Sequence, residues 1–143
     1  MASIAPESAG LLVDTSAWIE LFRRQPDPAI AVLAGELDRA VTCLPVIQEV
    51  LQGFADESLF RAARTAMYTL PCVEAPLSAS VVDDAVDLYR RARRAGITVR
   101  SSVDCLIAAC AVRHHLAVVH CDRDFAALAK LAPLQHHAIR QRA

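Results

Sequence analysis

Short apolar runs alternate along the chain with longer segments in which apolar residues recur every three or four positions. LLVD at 11–14, VTCL at 41–44 and LAVVHC at 116–121 have the length of buried strands, and PCVEA at 71–75 offers a shorter one. The helical spacing predicts helices over TSAWIELF, PAIAVLAGELDRA, VIQEVLQ, DESLFRAARTAMYT, DDAVDLYRRARRAG, SSVDCLIAACAVRHH and DFAALAKL.

Strands that alternate with helices, without the turn residues of a hairpin, need crossover connections. Such connections build a parallel sheet covered by helices on both faces. We therefore predict the α/β class. At 143 residues the chain fits a single domain over 1–143, with an N-terminal extension at 1–10 and a polar C-terminal tail at 133–143.

Composition predicts a tightly packed protein without a general affinity for nucleic acid. The hydrophobic share is 55% and the mean hydropathy is +0.31, so an apolar surface is expected to remain for a partner, which suggests a homodimer. Lys and Arg total 15 against 16 Asp and Glu, a net charge of -1. Any contact with nucleic acid must therefore come from a local patch.

Cysteine and histidine usage indicates neither disulfides nor zinc. The five cysteines are odd in number and form no CxxC pair, which is typical of small buried residues in a reducing cytoplasm. The five histidines match no common zinc spacing, and we expect them at the surface or with satisfied hydrogen bonds. The longest apolar run, CLIAACAV, is too short to span a bilayer, which leaves a cytoplasmic location with no membrane contact.

Four acids fall on one predicted edge of the sheet. Asp14 and Asp122 end strands, whereas Glu49 and Asp104 lie early in the helices that open at Pro45 and Ser101. In a parallel sheet the carboxyl ends of strands and the amino ends of the following helices share one rim, where ligands bind. The four carboxylates are therefore expected to converge.

Each acid also has a purely structural explanation. Asp14 is placed to cap the first helix, and Asp124 to cap the last. Ser101 with Asp104 matches a capping box, and Glu49 fits a solvated helix position. As a group, however, carboxylates that converge among apolar residues need a positive charge, and no Lys or Arg lies within LLVDTS. Oxygen donors alone suit Mg²⁺ or Mn²⁺ and metal-assisted phosphodiester hydrolysis.

Four motifs resemble, in order and spacing, those of PIN-domain ribonucleases, specifically the VapC-type toxins of toxin-antitoxin systems. They are LLVDTSAW at 11–18, QEVLQG at 48–53, VDCLIAACA at 103–111 and HCDRDF at 120–125, and the resemblance spans residues 11 to 132. It implies a three-layer α/β/α sandwich with a mainly parallel sheet, Mg²⁺- or Mn²⁺-dependent endoribonuclease activity on RNA, and inhibition by a cognate VapB-type antitoxin.

The resemblance also implies roles for individual residues. Asp14, Glu49, Asp104 and Asp122 match the catalytic acids of the family, with Asp14, Asp104 and Asp122 as metal ligands. Ser16 and Asp124 match auxiliary positions.

Basic and aromatic residues leave alternatives open. Arg123, between two site acids, could contact a phosphate or face the solvent. The arginines of YRRARRAG could bind an RNA backbone, but cations in the last turn also stabilise a helix through its dipole. Trp18, Ile19 and Phe22 have the spacing of a core or subunit interface.

Two other functions compete. A haloacid dehalogenase-like phosphatase also starts with a strand that ends in Asp, but it needs a second aspartate where this chain has Ser16. A catalytically silent interaction module on the same fold is the other alternative.

Overall fold

The computed structural model describes residues 10–22 and 28–139. Within them the strands are β1 Leu11–Val13, β2 Ala40–Cys43, β3 Cys72–Val73, β4 Ala117–His120 and β5 Gln135–Ala138. The helices are α1 Thr15–Leu21, α2 Pro28–Ala34, α3 Leu44–Gln52, α4 Glu57–Thr69, α5 Ala79–Arg94, α6 Ser102–Arg113 and α7 Arg123–Leu128, with a 3₁₀ turn at Leu37–Arg39. None of these helices is both long and apolar enough to cross a membrane.

The strands form one parallel sheet in the order β3-β2-β1-β4-β5, which confirms the predicted α/β class. Every residue of β1 and β4 is buried, as a sheet covered on both faces requires. The chain first builds outward from β1 through β2 to β3 and then returns to place β4 on the other side of β1. This reversal of strand order lies between β1 and β4, the position where open α/β sheets bind ligands.

Strand β5 corrects the predicted polar tail. Gln135–Ala138 pairs in parallel with β4, so this part of the tail belongs to the sheet. Its residues are largely exposed because β5 is an edge strand, and QHHA carries no apolar alternation that would reveal it. The N-terminal extension up to residue 9 and the last residues from 140 lie outside the described part of the chain.

Most predicted helix ends lie within two residues of those in the structure, but α2 and α7 both end earlier than predicted, and α7 stops at Leu128 instead of Leu131. The helix expected over 28–40 stops at Ala34, and a 3₁₀ turn leads directly into β2. Trp18 is buried as expected, whereas Ile19 and Phe22 are 51% and 48% exposed and do not belong to the core.

Helix α6 is largely buried. Its residues from Ile107 to Ala111 are all buried, and their small side chains allow neighbouring elements to approach closely. Because α6 packs against α5, α3, α7 and β4, its first turn is held rigidly at the edge of the sheet where β1 and β4 end.

Candidate metal centre

The ends of β1 and β4 lie side by side. Asp14 follows β1 and donates its backbone N–H to the Val119 carbonyl at 2.9 Å. Its Oδ2 accepts the Ser16 N–H at 3.1 Å and so caps α1. The Ser16 hydroxyl donates to the same oxygen and accepts the Cys121 N–H at 2.9 Å. Ser16 therefore ties the end of β1 to the segment that carries Asp122.

Asp122, and not Asp124, is the N-cap of the last helix. Its Oδ1 accepts the Asp124 N–H at 3.0 Å, and α7 begins at Arg123. Asp124 lies in the first turn, is 3% exposed, and accepts the Arg100 N–H at 3.0 Å through Oδ2. The capping interpretation of Asp124 is wrong, because its carboxylate faces the site and not its own helix terminus.

The capping box predicted for Asp104 does not form. Ser101 precedes α6, but its side chain makes no capping hydrogen bond. The backbone N–H of Asp104 instead donates to the Ser101 carbonyl. The Asp104 side chain is buried, and its Oδ2 has no hydrogen-bond partner. The carboxylate is therefore available to a ligand.

Glu49 reaches the same edge from the second turn of α3. Its Oε1 accepts a hydrogen bond from the Thr15 hydroxyl at 3.1 Å, and the side chain is half-buried. The charges of Asp14 and Asp122 both add to the raised pKa of Glu49, although burial is the larger cause. Glu49 thus stands within electrostatic range of both strand-end acids.

Three carboxylates converge most closely. One oxygen from each of Asp104, Asp122 and Asp124 lies within 4.8 Å of one from each of the others. This set differs from the ligands implied by the resemblance, because Asp124 is in it and Asp14 is not. Asp14 adjoins the cluster, since its charge contributes to the raised pKa of Asp104.

Asp14 and Asp104 hold their protons more tightly than isolated carboxyls. Burial raises the pKa of Asp14 despite its bonds from Ser16. Burial, then the charge of Asp14 and a hydrogen bond with Asp124, raises the pKa of Asp104 from 3.8 to about 8. The metal-free site therefore favours the protonated form of Asp104.

These residues fit a hard divalent cation. Among the described residues, two buried carboxylate oxygens lack a hydrogen-bond partner, Asp14 Oδ1 and Asp104 Oδ2, and both belong to this site. An unpaired buried acceptor is costly, and a cation that binds it removes the cost. Because every donor in the cluster is a carboxylate oxygen, the site suits Mg²⁺ or Mn²⁺.

Arg100 is a site residue that the sequence did not single out. Its guanidinium lies 3.5 Å from Asp122 Oδ1, and its side chain is 58% exposed. Arg123, the predicted phosphate contact, is exposed at the start of α7. Arg100 lies four residues before Asp104 in an irregular loop, and its contacts with Asp122 and Asp124 reveal its place in the site.

Comparison with known proteins confirms the resemblance. The model of the PIN domain matches residues 11–131. Ribonuclease VapC11 of Mycobacterium tuberculosis and VapC ribonuclease Mb1587 of Mycobacterium bovis are each 39% identical over 140 residues, which covers 91% of this chain and 99% of each relative.

Solved structures agree in fold. VapBC-5 of Mycobacterium tuberculosis is 26% identical with a TM-score of 0.63, and the match covers 92% of this chain and 99% of that chain. The DNA-bound VapBC of Salmonella typhimurium, at 16% identity and a TM-score of 0.71 over 91% and 98%, shares the fold. With its family model, its relatives and its fold in agreement, this chain belongs to the PIN-domain family and, within it, to the VapC proteins.

Proposed function

We propose that this protein is a metal-dependent endoribonuclease and the toxin of a VapBC-type pair, and that it hydrolyses RNA phosphodiester bonds. The observation that carries the proposal is the convergence of Asp104, Asp122 and Asp124 beside Asp14, with two buried carboxylate oxygens lacking a partner. The curated relatives at 39% identity are named ribonucleases, which supports RNA as the substrate.

The cluster and Asp14 would hold Mg²⁺ or Mn²⁺. When bound, the cation supplies positive charge that acidifies a water molecule and stabilises the negative charge on the phosphate. Asp104 would be ionised in the metal-bound state, because a carboxylate must be ionised to ligate. Ser16 holds Asp14 through Oδ2 and leaves Oδ1 buried without a hydrogen-bond partner.

Glu49 is the residue that we assign as proton acceptor. Its raised pKa suits a group that takes a proton from the attacking water, since a base works best when its pKa lies closer to the operating pH. The Thr15 hydroxyl fixes Oε1, so Oε2 would take the proton.

The two competing functions have less support. Ser16 stands where a haloacid dehalogenase-like phosphatase needs its acid, and its hydroxyl is engaged with Asp14 and Cys121. A silent interaction module would have no use for buried, unpartnered carboxylates, which destabilise the metal-free fold.

The proposal includes a VapB-type antitoxin, a homodimer and a cytoplasmic location with access to RNA. Two apolar surfaces are available for protein partners. Ile19 and Phe22 are exposed next to Glu49, and Val86 and Tyr89 are exposed on α5. Because an inhibitor must obstruct the site, we assign the antitoxin to the surface at Ile19 and Phe22 and the second copy to α5.

Asp122→Asn tests the cleavage activity with the fold preserved. Asn caps a helix as well as Asp does, so α7 is expected to remain intact while one negative ligand is lost. Cleavage of total RNA with Mg²⁺ or Mn²⁺ should fall by at least about 100-fold, roughly 3 kcal/mol of barrier, and EDTA should abolish it in the wild type. The matched control is Asp56→Asn, which changes the exposed N-cap of α4. Undiminished cleavage in Asp122→Asn or in EDTA would rule out the proposed chemistry.

Asp104→Asn should stabilise the metal-free protein at alkaline pH. Because the pKa of Asp104 is about 8 in the folded protein and 3.8 as a free side chain, the folded state binds more protons between these values, and wild-type stability falls as the pH rises through them. Asn does not titrate, so the difference in stability between variant and wild type should be small at pH 4 and grow in favour of the variant by up to about 1.4 kcal/mol per pH unit towards pH 8. Thermal unfolding in EDTA measures the difference.

Addition of Mn²⁺ should shift that difference in stability back towards the wild type. The cation stabilises a wild-type protein that binds it, by about 2.7 kcal/mol at 100 times the Kd, and the variant that lacks the Asp104 carboxylate gains little. Asp83→Asn, an exposed position on α5, serves as the control. A variant that is less stable than wild type at pH 8 in EDTA would contradict the electrostatic account.

Arg100→Ala should weaken RNA binding more than Arg123→Ala. The Arg100 guanidinium next to Asp122 can turn to a phosphate once the cation neutralises that carboxylate, and the substitution keeps the backbone bond to Asp124. We expect KM to rise about tenfold with a smaller change in kcat, because a phosphate contact contributes mainly to binding. Equal KM values for Arg100→Ala and wild type would remove Arg100 from the substrate site.

Phe22→Glu should separate this protein from its antitoxin. A charge in the middle of the apolar surface beside Glu49 opposes burial, so a coexpressed VapB-type antitoxin that binds the wild type should no longer copurify. Val86→Glu, an equally exposed change on α5, should retain the antitoxin and lower the dimer fraction in light scattering. Loss of the antitoxin in Val86→Glu alone would exchange the two assignments.

A further inference from the structure

His120 is the last residue of β4 and is 1% exposed. Its ring centroid lies 5.0 Å from that of Phe125 and 5.2 Å from that of His136 on β5. The ring fills the space between the sheet and α7, next to the acidic cluster, yet none of the proposed chemistry uses it.

The hydrogen bonds of His120 determine which nitrogen carries the proton. The Asp122 backbone N–H donates to Nδ1 at 3.2 Å, so Nδ1 is an unprotonated acceptor. Nε2 then bears the hydrogen and donates it to His136 Nδ1 at 3.0 Å. Burial, with a smaller effect of His136, lowers the pKa of His120 to about 4, which agrees with a neutral ring.

The bond from Asp122 to His120 repeats a pattern found twice more in the site. Asp14 accepts the N–H of Ser16, and Asp122 accepts the N–H of Asp124, in each case two residues further on. This is the geometry of an Asx turn, in which a side-chain acceptor fixes the backbone two positions ahead. His120 does for Asp122 with a ring nitrogen what Asp122 does for Asp124 with a carboxylate oxygen.

We propose that His120 is a positioning residue for the metal centre and that its Nδ1 fixes the backbone of Asp122, and through it Asp124, for cation binding. The inference rests on the proposed metal site. Two of the three converging carboxylates, Asp122 and Asp124, follow His120 within four residues. Each donates its backbone N–H to the side chain two positions before it, Asp122 to His120 and Asp124 to Asp122. Loss of the first bond releases both ligands.

Two substitutions of His120 separate positioning from packing. His120→Asn places an acceptor oxygen where Nδ1 stands and restores an Asx turn to Asp122, but leaves a larger void and loses the contact with His136. His120→Gln is closer in volume and places its polar atoms near Nε2, but has no acceptor at the Nδ1 position. A purely structural role therefore predicts that Asn is the more damaging change, and positioning predicts that Gln is.

The experiment is calorimetric titration of the metal-free protein with Mn²⁺, with circular dichroism to confirm the fold of each variant. We expect the Kd to rise by about 10- to 100-fold in His120→Gln, as for other residues that orient metal ligands, and to stay within about threefold of wild type in His120→Asn. His115→Asn, at an exposed position with φ 54 that Asn tolerates, is the matched control and should not change the Kd.

His136→Ala keeps the inference testable if the substitutions of His120 do not fold. It removes the partner of Nε2 from an exposed strand position and leaves the bond between Nδ1 and Asp122, so the Kd should not change. The positioning role is overturned by a Kd in His120→Gln equal to that of wild type, by equal weakening in Asn and Gln, or by weakening in His136→Ala. A wild-type protein that does not bind Mn²⁺ overturns the proposed metal site, and this inference with it.

Discussion

Carboxylates crowded at a partly buried edge of a sheet repel one another, and the sheet of this fold imposes that crowding on its acids. Asp14 and Asp122 are brought together because β1 and β4 are neighbours in the sheet, although 108 positions separate the acids in the sequence. The order β3-β2-β1-β4-β5 makes that edge the point where the winding reverses, so the strand ends diverge and leave room for a ligand. The sheet creates the crowding, and the proposed cation would relieve it.

Backbone groups make the crowding tolerable before a cation binds. Asp14 and Asp122 each cap a helix with one carboxylate oxygen, and Asp124 accepts the N–H of Arg100. Capping and metal binding are thus compatible functions of one side chain, since the cap uses one oxygen and leaves the other. The sequence presents them as alternatives, and for Asp122 the structure shows the cap at the place where we propose the ligand.

The predictable part of this protein was the part encoded by local pattern. Buried strands such as LLVD and LAVVHC and the capped helices that follow them have strong periodicity, so the class, the sheet and the edge that carries the acids follow from the sequence. Strand β5 was missed because an exposed edge strand needs no apolar alternation. Arg100 and His120 were missed as site residues because each acts through one hydrogen bond that depends on tertiary placement.

At Asp104 the proposed function and the stability of the metal-free fold make opposite demands. It has no capping bond from Ser101, its Oδ2 has no partner, and burial with the charge of Asp14 raises its pKa to about 8. A polar residue kept only for the fold would have both oxygens hydrogen-bonded at this place, because a buried acceptor without a partner lowers the free energy of unfolding. α6 holds it there through the packing of its small buried residues, so the fold absorbs the cost of a carboxylate whose benefit appears only when a cation is bound. The Asp104 carboxylate, with a buried oxygen that lacks a hydrogen-bond partner, is therefore the strongest structural argument for a metal at this site.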